Sequence, residues 1–237
     1  MSWEFTVDEF AHLWHAETRS DRCPFPMIMR STAQWEYEHE RLTAAARRKW
    51  PPGADSDLGA ALRHAADPAS AFTLLTTAGQ PIRAYGARTG DHAVLLRQLS
   101  SGADHSGNVI VYAGASDIVA KGFASFLGKV PAGRQGPLVE DVDRLTRHFD
   151  SWQRPADSTA ERMRQLARAP RVGAGHIEAR VGLHTSRPHP ARYVRWFDVT
   201  SDGRYLSYRK HNDLHIEPAD TAAVGRAIAA LAVVSTG

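Results

Sequence analysis

Two blocks of short apolar runs, rich in β-branched residues and separated by turns, constrain the fold of this chain most. The first block contains AFTLLTT, PIRAYGAR, HAVLLRQL and NVIVYAG, between residues 71 and 114. The second contains HIEARVGLH, YVRWFDV, RYLSYRK and DLHIE, between residues 176 and 217. Runs of this length bounded by Gly, Pro, Asn or Asp are typical of strands joined by hairpins, and Asp202-Gly203 is such a hairpin signal. Each block therefore predicts four antiparallel strands.

A helical segment of similar sequence follows each block. SDIVAKGFA at residues 116–124 aligns with ADTAAVGRA at residues 219–227, so that Asp, Gly and two Ala residues coincide. An Asp at the start of a helix caps its free N–H groups, and a helical Gly is unfavourable unless close packing uses it. The matched Gly residues therefore predict helices that cross a neighbouring element closely. The alternative is a chance similarity between two Ala-rich helices.

The repeat predicts the fold class. We expect an α+β protein with a central antiparallel β-sheet built from two β-meander-plus-helix units, residues about 72–128 and 175–234. The two units would be related by a pseudo-two-fold axis and flanked by helical bundles, within a single domain over residues 1–237. Both the length and the composition, with 43% hydrophobic and 23% charged residues, are ordinary for one globular domain.

Helical patterns fill most of the remaining chain. Capping-box spacing occurs at Thr6 and Glu9, and again at Ser31 and Gln34, and it predicts helices that begin there. The second of these would end at Lys49. Further helices are predicted over residues 57–66, after Ser158, and over residues 138–149 with an apolar stripe. The stripe consists of Leu138, Val142, Leu145 and Phe149.

Charge and cysteine content limit the function classes. The 29 basic and 26 acidic side chains leave a net charge of only +3, so no single-sign field covers the molecule. Cys23, the one cysteine, permits no intramolecular disulfide and is interpreted as a packing residue. No apolar run approaches the roughly 20 residues that span a bilayer, and the start lacks a secretory pattern. We expect a cytoplasmic protein that does not insert into membranes.

Residues 193–217 leave a nucleic-acid-binding sheet open as an alternative. Aromatic and basic residues alternate there, so Tyr193, Arg195 and Phe197 share one face and could stack bases and neutralise phosphates. The same alternation places Trp196 and Tyr208 within reach of a core. Cross-strand aromatic pairs also stabilise sheets that bind nothing. Neither an RNA-recognition aromatic motif nor a lysine-rich groove accompanies this segment.

A metal-dependent enzyme is the second alternative, and the histidines are its main support. They occur in three pairs of suggestive spacing: His12 and His15, His184 and His189, His211 and His215. A metal site needs three or four converging ligands, and these pairs lie in different segments. Asp104, His105 and Ser106 are adjacent in sequence, whereas the members of a catalytic triad usually converge from separate segments. We predict no catalytic residue, no metal ligand and no cofactor.

The segment from Tyr193 to Leu231, together with the order of elements before it, resembles the EspG family. EspG proteins are cytosolic chaperones associated with ESX (type VII) secretion in actinobacteria. Their C-terminal signature resembles a strand ending in Asp, a turn, Gly-Arg-Tyr, another strand, and Pro-Ala-Asp at the last helix. The matching residues here are Asp198, Gly203, Arg204, Tyr205, Pro218 and Asp220. These residues are expected to shape the hairpin and the helix start rather than to contact a partner.

The resemblance implies a function in binding. It implies a non-enzymatic chaperone that covers the apolar helical tip of a secreted PE–PPE-like heterodimer, keeps it soluble and delivers it for export. A protein with this role must offer apolar area with a polar rim. The residues predicted to supply this surface are Met163, Leu166, Arg195, Trp196, Tyr208 and Arg226. An exposed sheet face also leaves homodimerisation of the free protein open.

Overall fold

A computed structural model of the protein describes residues 1–100, 106–146 and 158–233. Within these ranges ten strands form one sheet, in the order β1-β5-β4-β3-β2-β7-β8-β9-β10-β6. Every pair of neighbouring strands is antiparallel. The strands are β1 (Ser2–Phe5), β2 (Ser70–Ala78), β3 (Arg83–Thr89), β4 (His92–Ser100), β5 (Ser106–Ala115), β6 (Leu138–Asp141), β7 (Arg171–Val181), β8 (Arg192–Val199), β9 (Arg204–Lys210) and β10 (Asp213–Pro218).

The helices of the described ranges lie before, between and after the two strand blocks. They are α1 (Val7–Thr18), α2 (Glu36–Lys49), α3 (Ser56–Ala66), α4 (Ile118–Phe126), α5 (Val142–Thr146), α6 (Thr159–Arg168) and α7 (Thr221–Leu231). This arrangement confirms the predicted fold class, an antiparallel sheet with packed helices. From the central β2–β7 pair, each half of the sheet adds its next three strands in chain order toward the edge. Two related units would give this arrangement. The pseudo-two-fold relation and the limits of the units stay predictions, and residue 234 lies outside the described ranges.

One face of the sheet is covered by α4 and α7, and we call it the α4–α7 face. Its core draws on both halves of the sheet, with Leu74, Leu95, Ile177 and Trp196 beneath the two helices. A Cβ at Gly122 of α4 would lie 2.2 Å from Leu95 Cδ2, so this Gly allows the close approach that was predicted. A Cβ at Gly225 of α7 would meet Ala124 Cβ at 3.9 Å, an ordinary van der Waals contact, so the close approach predicted for this second Gly is absent.

Among the described residues, the opposite face carries helices only toward its two ends, and we call it the split face. At one end, α1 and α3 pack on β3, β4 and β5 through Phe10, Leu62 and Leu96. At the other end, α6 packs through Met163 and Leu166 on a second cluster that includes Phe197, Tyr205 and Ile216. Alternation along the strands separates the two faces, so buried Trp196 and buried Phe197 belong to different cores.

The N-termini of the helices confirm some of the predicted capping residues and contradict others. Thr6 and Glu9 form the predicted capping box of α1, and the Asp220 side chain accepts the Ala223 N–H at the start of α7. The prediction for Ser31 was wrong, because α2 begins only at Glu36. The Ser31 hydroxyl instead donates to Asp8 at 2.5 Å, and Glu38 accepts the N–H groups of Gln34 and Trp35.

Two further helical predictions need correction. Asp117 precedes α4 without a side-chain capping bond and pairs with Lys121 instead. Residues 138–149 do not form one helix, because Leu138–Asp141 is an edge strand that pairs with β10 before α5 begins. Leu138 is buried in that strand, and Phe149 lies outside the described ranges. The strand β1 was not predicted, since four residues are too few to show a period.

No helix in residues 1–100, 106–146 or 158–233 is both long and apolar enough to cross a membrane.

Candidate functional site

The middle of the split face, between its two groups of helices, is the candidate site. Side chains of β2, β3, β7 and β8 point outward there, and they belong to none of the core clusters of the described ranges. We call this surface the open strip. It consists of Leu75, Arg83, His176, Glu178, Arg180, Tyr193 and Arg195. Tyr193 is 51% exposed, and Leu75 and His176 are half-buried.

Sheet register builds one row of the open strip. Arg195 of β8 is paired with His176 of β7, His176 with Leu75 of β2, and Leu75 with Arg83 of β3. Directly paired residues on antiparallel strands point to the same side. With strands about 4.8 Å apart, the two arginines lie roughly 14 Å from one another across the sheet. The row thus holds an apolar side chain and a His between two cations.

The same row continues under the N-terminal loop. Arg83 is paired with Gln98, a buried side chain whose Oε1 accepts the Ile28 N–H at 2.9 Å. Its Nε2 donates to the Ile28 carbonyl at 2.7 Å. These two bonds hold the loop against the sheet, while Ile28 stays 44% and Phe25 61% exposed. Ile28 therefore adds exposed apolar area at the Arg83 end of the row.

Charge on the open strip is mostly positive. Glu178 is its one acid, and Arg180 Nε donates to that carboxylate at 2.5 Å. This bond raises the pKa of Arg180. In the described ranges neither Arg83 nor Arg195 has an ion-pair partner. The surface can therefore bind a ligand that brings apolar side chains together with negative charge.

The six predicted partner residues do not lie together. Met163 and Leu166 are 2% and 4% exposed beneath α6, and Trp196 is 3% exposed in the core of the α4–α7 face. These three side chains fill the interior of this chain, because the helices α6 and α7 already cover them. Arg195 is exposed and lies in the open strip.

The other two predicted partner residues lie on the α4–α7 side of the sheet. Tyr208 is half-buried, its hydroxyl donates to Glu217 at 2.7 Å, and its ring stacks on His215 at 4.9 Å. Burial and the Glu217 hydrogen bond raise the pKa of Tyr208 to about 12. Arg226 is exposed on α7.

The signature residues build a buried junction. Arg204 is fully buried, and its guanidinium donates to Asp198 at 2.7 and 2.9 Å and to the Leu127 carbonyl at 2.7 Å. Its charge also lies 5.4 Å from the Trp196 ring. Since Leu127 ends α4, a cation there suits the negative end of the helix dipole. The junction joins the first strand block to the second.

The Asp-Gly motif indicates that Gly203 supplies the positive φ of the hairpin turn, but its structural role is different. The positive φ of this hairpin, 62°, belongs to Ser201. A Cβ at Gly203 would lie 2.7 Å from the backbone of Ala132, so Gly is needed for close approach of the crossover. Tyr205 is buried beside it, donates to Asp202 at 2.6 Å and accepts the Gln135 N–H at 3.0 Å.

Asp220 and Pro218 complete the signature. Asp220 caps α7, and Pro218 ends β10 opposite Tyr205.

The histidines of the described residues are dispersed, and several contact neighbouring side chains. His15 pairs with Asp21 at 2.9 Å, His184 with Asp67 at 3.1 Å, and His215 stacks on Tyr208. Burial lowers the pKa of His12. In the described ranges no group of three His, Cys, Asp or Glu side chains is placed to hold a metal ion. Asp104 and His105 lie outside those ranges.

Sequence reasoning missed most of the open strip. It identified Arg195 and the outward face of Tyr193, but not Leu75, Arg83, His176 or Gln98. Alternation along each run indicated which residues share a side of one strand. Pairing of β2 with β7, which are about a hundred residues apart, has no local signal. That pairing is what creates the strip.

Comparisons with known proteins agree with this architecture. The sequence profile of the EspG family matches residues 6–230. No curated protein matches the sequence. Among solved structures, the fold is similar to the Mycobacterium tuberculosis type VII secretion system chaperone EspG5 in complex with a PE25–PPE41 dimer. That similarity has a TM-score of 0.67 at 16% identity, and it covers 98% of this chain and 95% of the other. The family match spans nearly the whole sequence, and the chain belongs to the EspG family.

Proposed function

We propose that the chain is a non-enzymatic, cytosolic chaperone of a type VII secretion system. In this role it binds a helical secretion substrate of the PE–PPE class, covers its apolar tip and keeps it soluble until export. Membership of the EspG family over residues 6–230 carries the proposal. It is supported by the similar fold of EspG5, whose solved structure contains a PE25–PPE41 dimer.

The open strip is the surface that we propose for substrate binding. It offers exposed Tyr193, half-buried Leu75 and exposed Arg195 on the sheet, and Ile28 is held at the Arg83 end of the row through Gln98. Tyr and Arg are, with Trp, the residue types most enriched among those that dominate binding energy at interfaces. A sheet face also pre-organises these side chains, so little entropy is lost when they bind. Arg195 is thus the predicted partner residue that best fits the proposed role.

Co-expression tests the function. The chain would be produced with each PE–PPE pair of its own genome, and soluble complexes would be analysed by size-exclusion chromatography with light scattering. We expect one equimolar ternary complex with at least one pair. If the chain elutes alone with all pairs and instead retards RNA on a gel at physiological salt, the nucleic-acid alternative replaces this proposal.

Two tyrosine variants test the surface. Tyr193→Ser removes a ring that is 51% exposed in the open strip, whereas Tyr37→Ser removes one that is 65% exposed on α2. Truncation of a central interface residue costs about 1–2 kcal/mol or more, so Tyr193→Ser should weaken binding at least about tenfold. Tyr37→Ser should bind like the unsubstituted protein. Equal affinities of both variants would place the interface elsewhere.

A further inference from the structure

The arginines of the sheet differ in what they contact on its two faces. On the α4–α7 face, Arg97 lies 4.4 Å from the Phe126 ring and Arg88 lies 6.0 Å from the Phe72 ring. Arg192 there donates to the Leu231 carbonyl at 3.2 Å. These three guanidinium groups are engaged within the chain. Their contacts with rings and carbonyls help to hold the fold.

On the split face, Arg171 lies 4.5 Å from the Phe197 ring and donates to the Ala167 carbonyl, whereas, among the described residues, most of the other strand arginines are not engaged within the chain. Register places Arg83, Arg180, Arg195 and Arg209 on this side, and only Arg180 has an acidic partner, Glu178. In the described part of the chain the other three guanidinium groups have no ion pair. The whole protein has a net charge of only +3, so this excess is a local feature. It creates a positive potential at one site.

The spacing of this charge suits one kind of ligand. Arg83 and Arg195 lie at the two ends of one cross-strand row, and Leu75 lies between them. The strand positions of the two arginines are roughly 14 Å apart. A helix with its side chains is about 10–12 Å wide, so its tip fits between the two arginines above Leu75. The C-terminal end of a helix carries partial negative charge, and carboxylates beside it add to the attraction.

We propose that the substrate tip bound by this chain is acidic, with carboxylates that pair with Arg83 and Arg195 on either side of an apolar side chain over Leu75. This inference rests on the proposed function and specifies the chemistry of its partner. Bidentate pairing of arginine with carboxylate fixes orientation as well as adding affinity. The two arginines therefore select among helical substrates that are equally apolar.

Charge reversal tests the inference. The double variant Arg83→Glu/Arg195→Glu would be compared with Arg41→Glu/Arg48→Glu, which makes the same charge change at exposed positions of α2. The probe is the PE–PPE pair that the unsubstituted chain binds in co-expression. At 50 mM NaCl we expect the strip variant to lose at least about tenfold in affinity and the α2 variant less than about threefold. At 500 mM NaCl the difference between the two variants should shrink, because salt screens exposed charges.

Rescue by the partner is the decisive readout. Replacement of tip carboxylates by arginine in the PE–PPE pair should restore binding to the strip variant and weaken binding to the unsubstituted chain. Circular dichroism and the urea midpoint of each variant check that it is folded. If the strip variant is folded and binds like the α2 variant, the acidic-tip inference is wrong and the chaperone proposal stands. If the unsubstituted chain binds no pair, the proposed function falls and the inference falls with it.

Discussion

At the scale of single residues, Asp198 and Arg204 form a buried, hydrogen-bonded ion pair. Arg204 is 0% and Asp198 5% exposed, and their two hydrogen bonds measure 2.7 and 2.9 Å. Removing one partner of such a pair leaves an uncompensated buried charge, which costs about 3–5 kcal/mol. We predict that Asp198→Leu lowers the free energy of unfolding by this amount, measured by urea denaturation.

A surface pair of the same region is the control. Arg134 pairs with Asp202 at 3.3 Å, but its side chain is 76% exposed. An exposed ion pair contributes about 0–1 kcal/mol, so Arg134→Ala should change stability little. Similar losses in Asp198→Leu and Arg134→Ala would mean that the buried junction is not what holds the crossover.

Cys23 permits a second prediction at this scale. Burial raises the pKa of its thiol to about 12. Since the folded pKa exceeds the unfolded value of about 8.5, the associated stability is complete below pH 8.5 and is lost as pH rises through 12. The thiolate, which is the reactive form, is scarce at pH 8. We expect Ellman's reagent to label Cys23 slowly in the folded protein and rapidly in urea. Rapid labelling without urea would contradict the interpretation of Cys23 as a packing residue.

At the scale of elements, the two matched helices α4 and α7 start differently. Asp220 caps α7 by accepting the Ala223 N–H at 2.7 Å, whereas the aligned Asp117 makes no capping bond before α4. Loss of an N-cap costs about 1 kcal/mol, and an exposed i,i+4 ion pair contributes about 0.3–0.5 kcal/mol. We predict that Asp220→Ala destabilises the protein about twice as much as Asp117→Ala, measured by thermal and urea unfolding. The opposite order would show that α7 does not depend on its cap.

Elements also show how far sequence patterns reach. Short runs between turns such as HAVLLRQL and RYLSYRK became β4 and β9, and the Thr6–Glu9 pair became the capping box of α1. The stripe at Leu138, Val142 and Leu145 was misleading, because Leu138 packs in an edge strand against β10. A pattern of three or four apolar residues fits a helix and a strand–helix junction equally well. Only the partner strand decides between them.

At the scale of the whole molecule, strand order suggests duplication. The order β5-β4-β3-β2 on one side of the centre mirrors β7-β8-β9-β10 on the other, and short edge strands β1 and β6 close both ends. We predict that the backbone of residues about 72–128 superposes on that of residues about 175–234 by a rotation of about 180°, as expected for a two-fold axis. The measurement is the rotation angle and the number of matched strands. A different rotation, or strands left unmatched, would mean that the repeat is coincidental.

The sequence by itself determined the local helices and strands. It also determined which residues of each strand share one side. Alternation, capping pairs and turn residues are short-range properties, so the two strand blocks, α1 and α7 could be predicted from the chain alone. The C-terminal motif also indicated the EspG family, which the profile match confirms. Tertiary structure decided which of the outward residues became surface. Trp196 was enclosed under α7, while Leu75, Arg83, His176 and Arg195 came together in the open strip. The reason is that these features depend on contacts between residues about a hundred positions apart. They are the pairing of β2 with β7 and the gap between the helices of the split face.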